Sequence, residues 1–457
     1  MAVDRSRLPA VGSDPAFAFP RIDRHRLSNG LALRTFEHHS IPLVTFVFQV
    51  LSGSASDATG GEGLAALTAD MLDEGTGALS AIDVSESMAR IGAEFDVDVG
   101  PDATVLTLTT LSRFAERGAA LLADLITRPS LRLEDFERVR QLRLDRLQQL
   151  RDVPPAVAER AFLSLLYGDH PYGHLAIGNA HALGALTLAD VSRFHQTSYQ
   201  PSRATLVIGG DLTTERFRDI AEDAFGGWTS RSEGDAARSA VDIEAPGNGC
   251  ARVAIVPRER AAQSLLRIGH LSARRDSPDY PALIVMNAVL GGQIVSRVNL
   301  KLREEKGYTY GARTGFDWRR GIGPFSLETS VETRVTADAV RDALAELSAI
   351  RGERPATQEE MALAKAALTR GYPRSFETVQ QVARSVAQLV LYELPDTYFE
   401  TFVARVNGVT ADEVTRVAGQ YLHPSQMTTL IVGDYPAISG PIEDLHLGVT
   451  TIVAADL

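Results

Sequence analysis

The sequence predicts an α+β protein made of two homologous halves, each an α/β sandwich with an antiparallel-rich sheet and helices on one face. Three observations lead to this prediction. They are an internal repeat, strand-like segments that follow one another without a helix between them, and a composition of 44% hydrophobic and 23% charged residues, which is typical of a globular protein. At 457 residues the chain exceeds one ordinary core, so two domains are expected.

The internal repeat is the observation that divides the chain. Thr187–Asp211 reads TLADVSRFHQTSYQPSRATLVIGGD, and Thr410–Asp434 reads TADEVTRVAGQYLHPSQMTTLIVGD. The two segments align without a gap and share nine identical residues, including the Pro-Ser of the turn and the final Gly-Asp. Each copy predicts an amphipathic helix, a proline-containing turn and an apolar strand.

The joint between the halves is predicted after Trp228, where TSRSEGDAARS is polar and short of large apolar side chains. We therefore divide the chain into an N-terminal extension (residues 1–20), a first domain (21–228), a linker (229–245) and a second domain (246–457).

Residue patterns place the elements of the first domain. Glycine, proline and capping residues bound the helices, and Ser80 with Asp83 forms a capping-box pattern. The predicted strands are Leu31–Phe36, Leu43–Leu51, Glu94–Val99 and Thr104–Leu111, and the predicted helices are Gly63–Leu72, Ser80–Ile91, Leu133–Arg151 and Pro155–Tyr167.

Composition excludes several classes of protein. The formal net charge of −12 argues against a nucleic-acid partner, because phosphates require basic surfaces. The single cysteine, Cys250, excludes an internal disulfide and a cysteine-based zinc site. No apolar run approaches the roughly 18 residues of a membrane span. Residues 1–20 also lack the apolar stretch of a signal peptide, so we expect a cytoplasmic protein, or a periplasmic one if a leader was removed.

One helix resembles a metal site without its ligands. Gly63–Thr76 reads GLAALTADMLDEGT, which resembles the zinc helix of the pitrilysin-like (insulinase-like) M16 peptidases, where an HxxEH motif supplies two histidines and a glutamate. The matching positions are Ala66, Ala69 and Asp70. An alanine methyl has no lone pair for a metal, and Asp70 alone cannot replace the three protein ligands of a catalytic zinc.

The third ligand of the family, a glutamate, comes from a later helix. By resemblance its position here is Asp145 or, by the family's spacing, Arg146, a cation that would repel zinc. We therefore expect no metal in this chain and a degenerate zinc site at Ala66, Ala69, Asp70 and Arg146. Taken without the resemblance, Gly63–Leu72 is a plain core helix, and the two interpretations do not conflict.

A second segment retains its functional groups. Leu290–Phe316 reads LGGQIVSRVNLKLREEKGYTYGARTGF and resembles the family's Arg/Tyr segment, whose arginine and tyrosine act on the substrate opposite the zinc. The matching residues are Arg303 and Tyr310, which can donate hydrogen bonds to a peptide carbonyl. Spacing alone favours another interpretation, in which Arg303 is a solvated cation at a helix end and Tyr310 is a half-buried aromatic residue on a strand.

The rest of this segment predicts its conformation. Ser296 is expected to cap a helix that runs to about Lys306, and Gly307 to end it in the left-handed conformation. A strand is expected next, with Tyr308 and Tyr310 on one face. Arg297 is expected to be exposed.

Further contacts follow from the resemblance. Gly291, Gly292 and Gln263 are assigned to substrate binding, with Gln263 at the head of a strand to which a peptide could add. His170 and His174, in HPYGH, are expected to belong to a structural turn rather than to a metal site.

The resemblance implies an M16-type fold, half of a clamshell like the processing-peptidase subunits. It also implies a zinc-less subunit of a heterodimeric peptidase, with an HxxEH-bearing homologue as the partner that carries the zinc and a peptide as the substrate. A homodimer is expected when the chain is isolated. Two alternatives stay open: a purely structural or peptide-binding scaffold subunit, and a stand-alone hydrolase with another site, for which the sequence offers no nucleophile–base pair.

Overall fold

The computed structural model describes residues 18–229 and 252–454. Most of the N-terminal extension, most of the predicted linker and Cys250 lie outside the described residues. Within them the strands form two six-stranded sheets, one in each half, and a short two-stranded hairpin. The predicted class, α+β with two sheet-containing halves, is confirmed.

The first sheet is antiparallel except for the pairing of its second and third strands. Its spatial order is β1 (Asp23–Arg26), β2 (Ala32–Glu37), β8 (Ala204–Gly210), β3 (Leu43–Val50), β7 (Thr104–Leu111) and β6 (Glu94–Val99). The hairpin consists of β4 (Gly75–Thr76) and β5 (Leu79–Ser80). The helices of this half are α1 (Leu64–Asp70), α2 (Ala81–Arg90), α3 (Ala115–Thr127), α4 (Leu133–Leu150), α5 (Pro154–Tyr167), α6 (Ala180–Ala185), α7 (Leu188–Ser198) and α8 (Thr214–Phe225).

The second sheet has the same mixture of pairings, with parallel neighbours at one side only. Its order is β11 (Ala312–Phe316), β12 (Gly323–Glu332), β10 (Gln263–Ala273), β13 (Thr428–Gly433), β9 (Arg252–Pro257) and β14 (Val449–Ile452). Its helices are α9 (Tyr280–Leu290), α10 (Arg297–Asn299), α11 (Thr336–Ala349), α12 (Gln358–Thr369), α13 (Val379–Leu391), α14 (Tyr398–Gly408), α15 (Ala411–Tyr421) and α16 (Tyr435–Glu443).

The repeat seen in the sequence is a repeat of structure. Helix α7 and helix α15 both begin with a threonine capping box, at Thr187 and Thr410. Each is followed by a short 3-10 turn and then by a central strand, β8 or β13, whose residues are all buried. Identical turn chemistry therefore places equivalent strands in the middle of the two sheets.

Each sheet is covered on one face by helices of its own half, as predicted, and on the other face by a helix of the opposite half. Helix α13 of the second half packs against β3 and β8, where Val382 and Val386 share a core with Val47 and Val207. In return, α5 of the first half packs against β10 and β13, where Phe162 contributes to a core with Leu430. We call α5 and α13 the exchanged helices.

The element predictions for the first half are confirmed to within one or two residues. Strands Glu94–Val99 and Thr104–Leu111 have the predicted bounds, and the Ser80–Asp83 capping box is present. Among the described residues no helix is both long enough and apolar enough to cross a bilayer.

Candidate functional site

Helix α1 holds the positions that match the zinc motif. Its N-terminus follows Gly63, whose φ of +101° lies in the left-handed region. The buried carboxylate of Asp57 accepts hydrogen bonds from the amides of Gly63 (2.8 Å) and Ala65 (2.7 Å). These bonds satisfy free N–H groups at the positive end of the helix. Ala66 and Ala69, which match the first histidine and the glutamate of the motif, are both buried, so their methyl groups are part of the packed core.

The third position of the motif, Asp70, is committed to an ion pair. Its Oδ2 lies 2.7 Å from Nε of Arg143 on α4. One helical turn further along α4, Arg146 is exposed, and its Nη1 donates to Oε1 of Gln149 at 3.3 Å. Two alanines, an aspartate held by a guanidinium and a second arginine do not form a donor set for zinc. No cluster of three or more His, Cys, Asp or Glu that could hold a metal exists in the described part of the chain.

A cavity of about 640 Å³ marks this degenerate site. Its wall combines residues of α1 and α4 with strand β6 of the first sheet, and its residues include Ala66, Asp70, Phe95, Val97 and Arg146. The structure places Ala66, Asp70 and Arg146 in the wall of one cavity, whereas Ala69 is buried in the core. The residues at these positions line a cavity and do not form a set of zinc ligands.

The Arg/Tyr segment lies in the other half and does not line this cavity. Helix α10 continues as a π-helix over Leu300–Glu305, which carries Arg303. The Arg303 side chain is 42% exposed, and its Nε lies 3.4 Å from Glu304. π-Helical turns are rare and concentrate at functional sites, so this local geometry is consistent with a functional arginine.

Tyr310 is more exposed than the sequence indicates. Gly307 has the predicted left-handed φ of +64° and ends the helix. The strand predicted across Tyr308 and Tyr310 is wrong, because β11 begins only at Ala312. Tyr308 packs against the core of the second half, whereas Tyr310 lies in the loop and is 95% exposed.

Asn299 fixes this loop, and sequence reasoning missed it. Its buried Oδ1 accepts the amide of Ala312 at 2.8 Å, and its Nδ2 donates to the carbonyl of Gln293 at 3.2 Å. The residue therefore ties both ends of the Arg/Tyr segment to the helix between them. A polar residue at position 299, between the apolar Val298 and Leu300, was the available signal.

The two glycines have a packing explanation. A Cβ on Gly291 would lie 2.5 Å from Oγ1 of Thr314 on β11, so only glycine fits there. A Cβ on Gly292 would lie 2.8 Å from Nδ2 of Asn287. Their assignment to substrate binding stays a prediction.

Arg297 is buried, which corrects the expectation of exposure. It is 6% exposed and forms a two-pronged ion pair with Glu360, with Nε–Oε1 at 2.7 Å and Nη2–Oε2 at 2.8 Å. It also donates to the carbonyls of Arg354 and Pro355. Burial opposes ionisation of Glu360, but hydrogen bonds from Arg297 and the amide of Thr357 outweigh it and lower the pKa of Glu360 to about 2. Ser296 precedes the helix but makes no capping hydrogen bond through its side chain.

Gln263 begins β10, but β10 is an interior strand. It pairs with β12 on one side, where Gln263 faces Glu332, and with β13 on the other. Because β13 pairs with Leu265–Gly269, the central part of β10 offers no free edge to which a peptide could add. The exposed Gln263 side chain remains a predicted substrate contact.

The HPYG turn joins the two halves, in agreement with the structural interpretation. Nδ1 of His170 accepts the amide of Tyr172 at 3.1 Å. The Tyr172 hydroxyl donates to Asp102 and accepts the amide of Gly321. Burial, reinforced by the Asp102 carboxylate, raises the pKa of Tyr172. The buried guanidinium of Arg319, from the second half, donates to the Tyr172 carbonyl at 3.2 Å and lies over the Tyr172 ring.

Comparison with known families agrees with this architecture. Residues 35–179 match the model of the insulinase-type peptidase family M16, and residues 185–368 match the model described as the peptidase M16 inactive domain. The chain belongs to peptidase family M16. The M16 inactive-domain match covers the Arg/Tyr segment, whereas the first match covers the degenerate zinc helix.

Relatives of this M16 protein differ in the activity that their names state. A protein of Mycobacterium tuberculosis named an uncharacterized zinc protease is 25% identical over 413 residues, which are 90% of this chain and 92% of the relative. A protein of Helicobacter pylori named a non-peptidase homolog is 22% identical over 403 residues, 87% of this chain and 90% of the relative.

Two solved structures share the fold. One is described as a peptidase M16 inactive domain from Pseudomonas fluorescens, with a TM-score of 0.83, 24% identity and coverage of 90% of this chain and 98% of that chain. The other is described as a protease from Helicobacter pylori, with a TM-score of 0.84, 19% identity and coverage of 90% and 99%.

Proposed function

We propose that this M16 protein is the metal-free subunit of a heterodimeric zinc peptidase. The partner is a homologue with an intact HxxEH helix, which would carry the zinc. This chain supplies Arg303 and Tyr310 to the peptide substrate. The observation that carries the proposal is the contrast between the two sites, because Ala66, Ala69 and the paired Asp70 cannot hold or serve a zinc ion, while Arg303 and Tyr310 are exposed to solvent.

Exposure of Tyr310 argues for a contact made outside this chain. A tyrosine that is 95% exposed gives almost no burial energy to its own fold. Arg303 and Tyr310 also do not line the cavity beside Ala66, so their donors are available to a substrate bound elsewhere. A guanidinium and a phenol can both donate hydrogen bonds to a peptide carbonyl and to the oxyanion that forms from it.

The test is peptidase activity on a quenched peptide library for this chain, for an HxxEH-bearing homologue and for their mixture. We expect activity only in the mixture and expect it to be abolished by a zinc chelator. Arg303→Ala and Tyr310→Phe should each lower kcat by roughly 100- to 1,000-fold, as loss of one oxyanion donor does.

Two matched variants serve as controls for that experiment. Tyr308→Phe removes a hydroxyl two residues away on a ring that packs against the core, and Arg313→Ala removes an exposed arginine paired with Glu328. Both should leave kcat within about twofold. Full activity of Arg303→Ala and Tyr310→Phe in an assembled complex would rule out the catalytic assignment.

A scaffold or peptide-binding subunit without a catalytic contribution is the second candidate. The observation that favours it is the cavity of about 640 Å³ beside β6, a strand whose one sheet neighbour among residues 18–229 and 252–454 is β7. Equal activity of the homologue with and without this chain would favour this second function.

A further inference from the structure

Tyr310 lies on a loop whose backbone is held by hydrogen bonds on both sides of it. The residue is 95% exposed, so contacts of its own ring do not set its position. On the side toward α10, the amide of Gly307 donates to the Arg303 carbonyl at 3.1 Å. The amide of Tyr308 donates to the Leu302 carbonyl at 2.8 Å. The chain therefore leaves the π-helical turn in a direction that its own backbone fixes.

Thr309, which precedes Tyr310, binds the residue that follows it. The Thr309 hydroxyl accepts the amide of Gly311 at 3.1 Å and donates to the carbonyl oxygen of Gly311 at 2.9 Å. Threonine hydroxyls favour turns through local bonds of this kind. These two bonds close a turn that has Tyr310 at its middle.

Thr329 connects this turn to the interior of the second sheet. It lies on β12, which pairs with both β10 and β11, and it is 4% exposed. Its Oγ1 lies 3.0 Å from Oγ1 of Thr309 and 3.0 Å from the carbonyl oxygen of Gly311. The Thr329 hydroxyl proton can be donated to either oxygen. A buried strand residue thus binds the loop on both sides of Tyr310.

The bond from Asn299 to the amide of Ala312 continues this series one residue further. Because Thr309 and Gly311 are both bound, the backbone of Tyr310 between them has little freedom. The chain orders a residue that contributes almost no burial energy to its fold. This is what presentation of a side chain to another molecule requires.

We propose that Thr309 and Thr329, which we call the threonine pair, are positioning residues for Tyr310. The inference rests on the proposed function, in which the phenol donates a hydrogen bond to the substrate. The threonine pair holds the loop in one conformation before a peptide binds, so the phenol needs little reorganisation when the oxyanion forms. Both residues act through Tyr310 and not on the peptide.

The first test measures the order of the loop in the isolated chain by amide hydrogen exchange. A double-valine variant, Thr309→Val with Thr329→Val, removes both hydroxyls and keeps the shape of both side chains. We expect residues 308–312 to exchange roughly tenfold faster or more, the effect of losing two or more hydrogen bonds. Thr329→Ser keeps the hydroxyl and should exchange like the unmodified chain.

Two further variants keep this test decisive. Thr329→Val leaves Thr309 and Gly311 bonded to each other, so it carries the test should the double-valine variant fail to fold, with exchange roughly 2- to 10-fold faster. The matched control is Thr45→Val with Thr109→Val, which removes a hydroxyl pair of the first sheet with its oxygens 2.9 Å apart. This control should leave exchange of residues 308–312 unchanged.

The second test measures kcat and KM of the complex with the HxxEH-bearing homologue, on a library peptide that the complex cleaves. The double-valine variant should lower kcat roughly tenfold and change KM by less than about threefold, as loss of positioning does. In a Tyr310→Phe background the same two valines should alter kcat by less than about twofold, because the hydroxyl that they position is already absent. A general effect on folding or assembly would lower kcat in both backgrounds.

The two proposals fail in different ways. Full activity of Tyr310→Phe overturns the proposed function, and the positioning role falls with it. If Tyr310→Phe loses activity, three results overturn the positioning role alone. They are unchanged exchange in the double-valine variant, unchanged kcat in that variant, and an equal loss of kcat from the two valines in the Tyr310→Phe background.

Discussion

Arg297 and Arg303 lie on one continuous helical segment, but their guanidinium groups have opposite surroundings. Arg297 is buried and makes four hydrogen bonds, two of them to Glu360. Arg303 is half exposed, and its nearest described ionic partner is the neighbouring Glu304. The first arginine stabilises the fold, whereas the second is half exposed at the surface.

This contrast gives a prediction about stability. Arg297→Ala should lower the free energy of unfolding by about 3–5 kcal/mol, because it leaves Glu360 and two carbonyls without their partner. Arg303→Ala should change it by no more than about 0.5 kcal/mol, as exposed substitutions do. Urea unfolding followed by circular dichroism measures both, and equal midpoints for the two variants would contradict the assignment.

A buried histidine gives a prediction about pH. His270 is buried, with Nδ1 donating to the Leu271 carbonyl at 2.6 Å and Nε2 accepting the amide of His423 at 3.2 Å. Burial, together with the nearby His423, lowers the pKa of His270 to about 4. In the unfolded chain this imidazole therefore becomes protonated near pH 6.5, whereas in the folded chain it becomes protonated only near pH 4.

The stability contributed by neutral His270 should be complete above pH 6.5 and should decline as the pH falls. The loss amounts to about 2 kcal/mol between pH 7 and pH 5. The measurement is urea unfolding at pH 7, 6 and 5, and His270→Gln should flatten this dependence. His181→Gln, which removes an exposed imidazole, should retain it, and an unchanged slope in His270→Gln would show that another group is responsible.

At the scale of the element, the Arg/Tyr segment depends on backbone geometry at one glycine. Gly307 ends the π-helical turn at a φ of +64°, and nothing lies within 4 Å of a Cβ built on it. Gly371 is likewise exposed with free space around it, but it has an ordinary φ of −86°. The two glycines differ in conformation and not in crowding.

The pair predicts opposite effects of the same substitution. Gly307→Ala should destabilise the chain by about 1–2 kcal/mol, the cost of a side chain in the left-handed region. Gly371→Ala should be neutral or stabilise by up to about 1 kcal/mol, because it restricts only the unfolded chain. Thermal and urea unfolding of both variants provide the measurement, and a loss at Gly371 as large as that at Gly307 would refute the backbone explanation.

Elements could be predicted where their cause is local. Alternation gave the bounds of Glu94–Val99, and the capping box at Ser80 gave the start of α2. The Tyr-Thr-Tyr of residues 308–310 also alternates, yet it forms a loop because Asn299 binds Ala312 and Thr309 binds Thr329. The expectation that Arg297 is exposed is wrong for the same reason. Its ion-pair partner, Glu360, lies 63 residues away along the chain, so no local pattern indicates that the guanidinium is buried.

In the candidate site, too, features with a local cause could be predicted from the sequence and features that depend on distant contacts could not. Loss of a ligand at Ala66 and of the base at Ala69 is visible in the residue types themselves, because a methyl group can neither bind a metal nor accept a proton wherever it lies. The Asp57 cap and the Asp70–Arg143 ion pair depend on how α1 meets a preceding turn and α4. No short-range pattern marks either contact. Whether Arg303 and Tyr310 act on a peptide stays a prediction.

At the scale of the molecule, the exchanged helices make each half incomplete without the other. Without α13, the Val47 and Val207 face of the first sheet would be open to water. Without α5, the Leu430 and Val432 face of the second sheet would be open as well. Ion pairs across the joint, such as Arg384 with Asp96 at 2.6 Å, add to this mutual dependence.

We therefore predict one cooperative unfolding transition for the whole chain. Fragments 18–229 and 252–454 should fold when they are produced together and fail to fold when they are produced alone, because each leaves one large apolar sheet face uncovered. Calorimetry and size-exclusion chromatography test this expectation. A sharp transition in either isolated fragment would contradict it.

The reciprocal positions of α5 and α13 also bear on the origin of the chain. The two repeats are equivalent, and each covers a face of the other's sheet with the corresponding helix. This is the arrangement of a domain-swapped dimer whose subunits have become covalently joined. Fusion of this kind releases the two copies from having identical sequences. One copy could then carry the degenerate zinc helix and the other the Arg/Tyr segment, while the interlocked helices preserved the ancestral pairing.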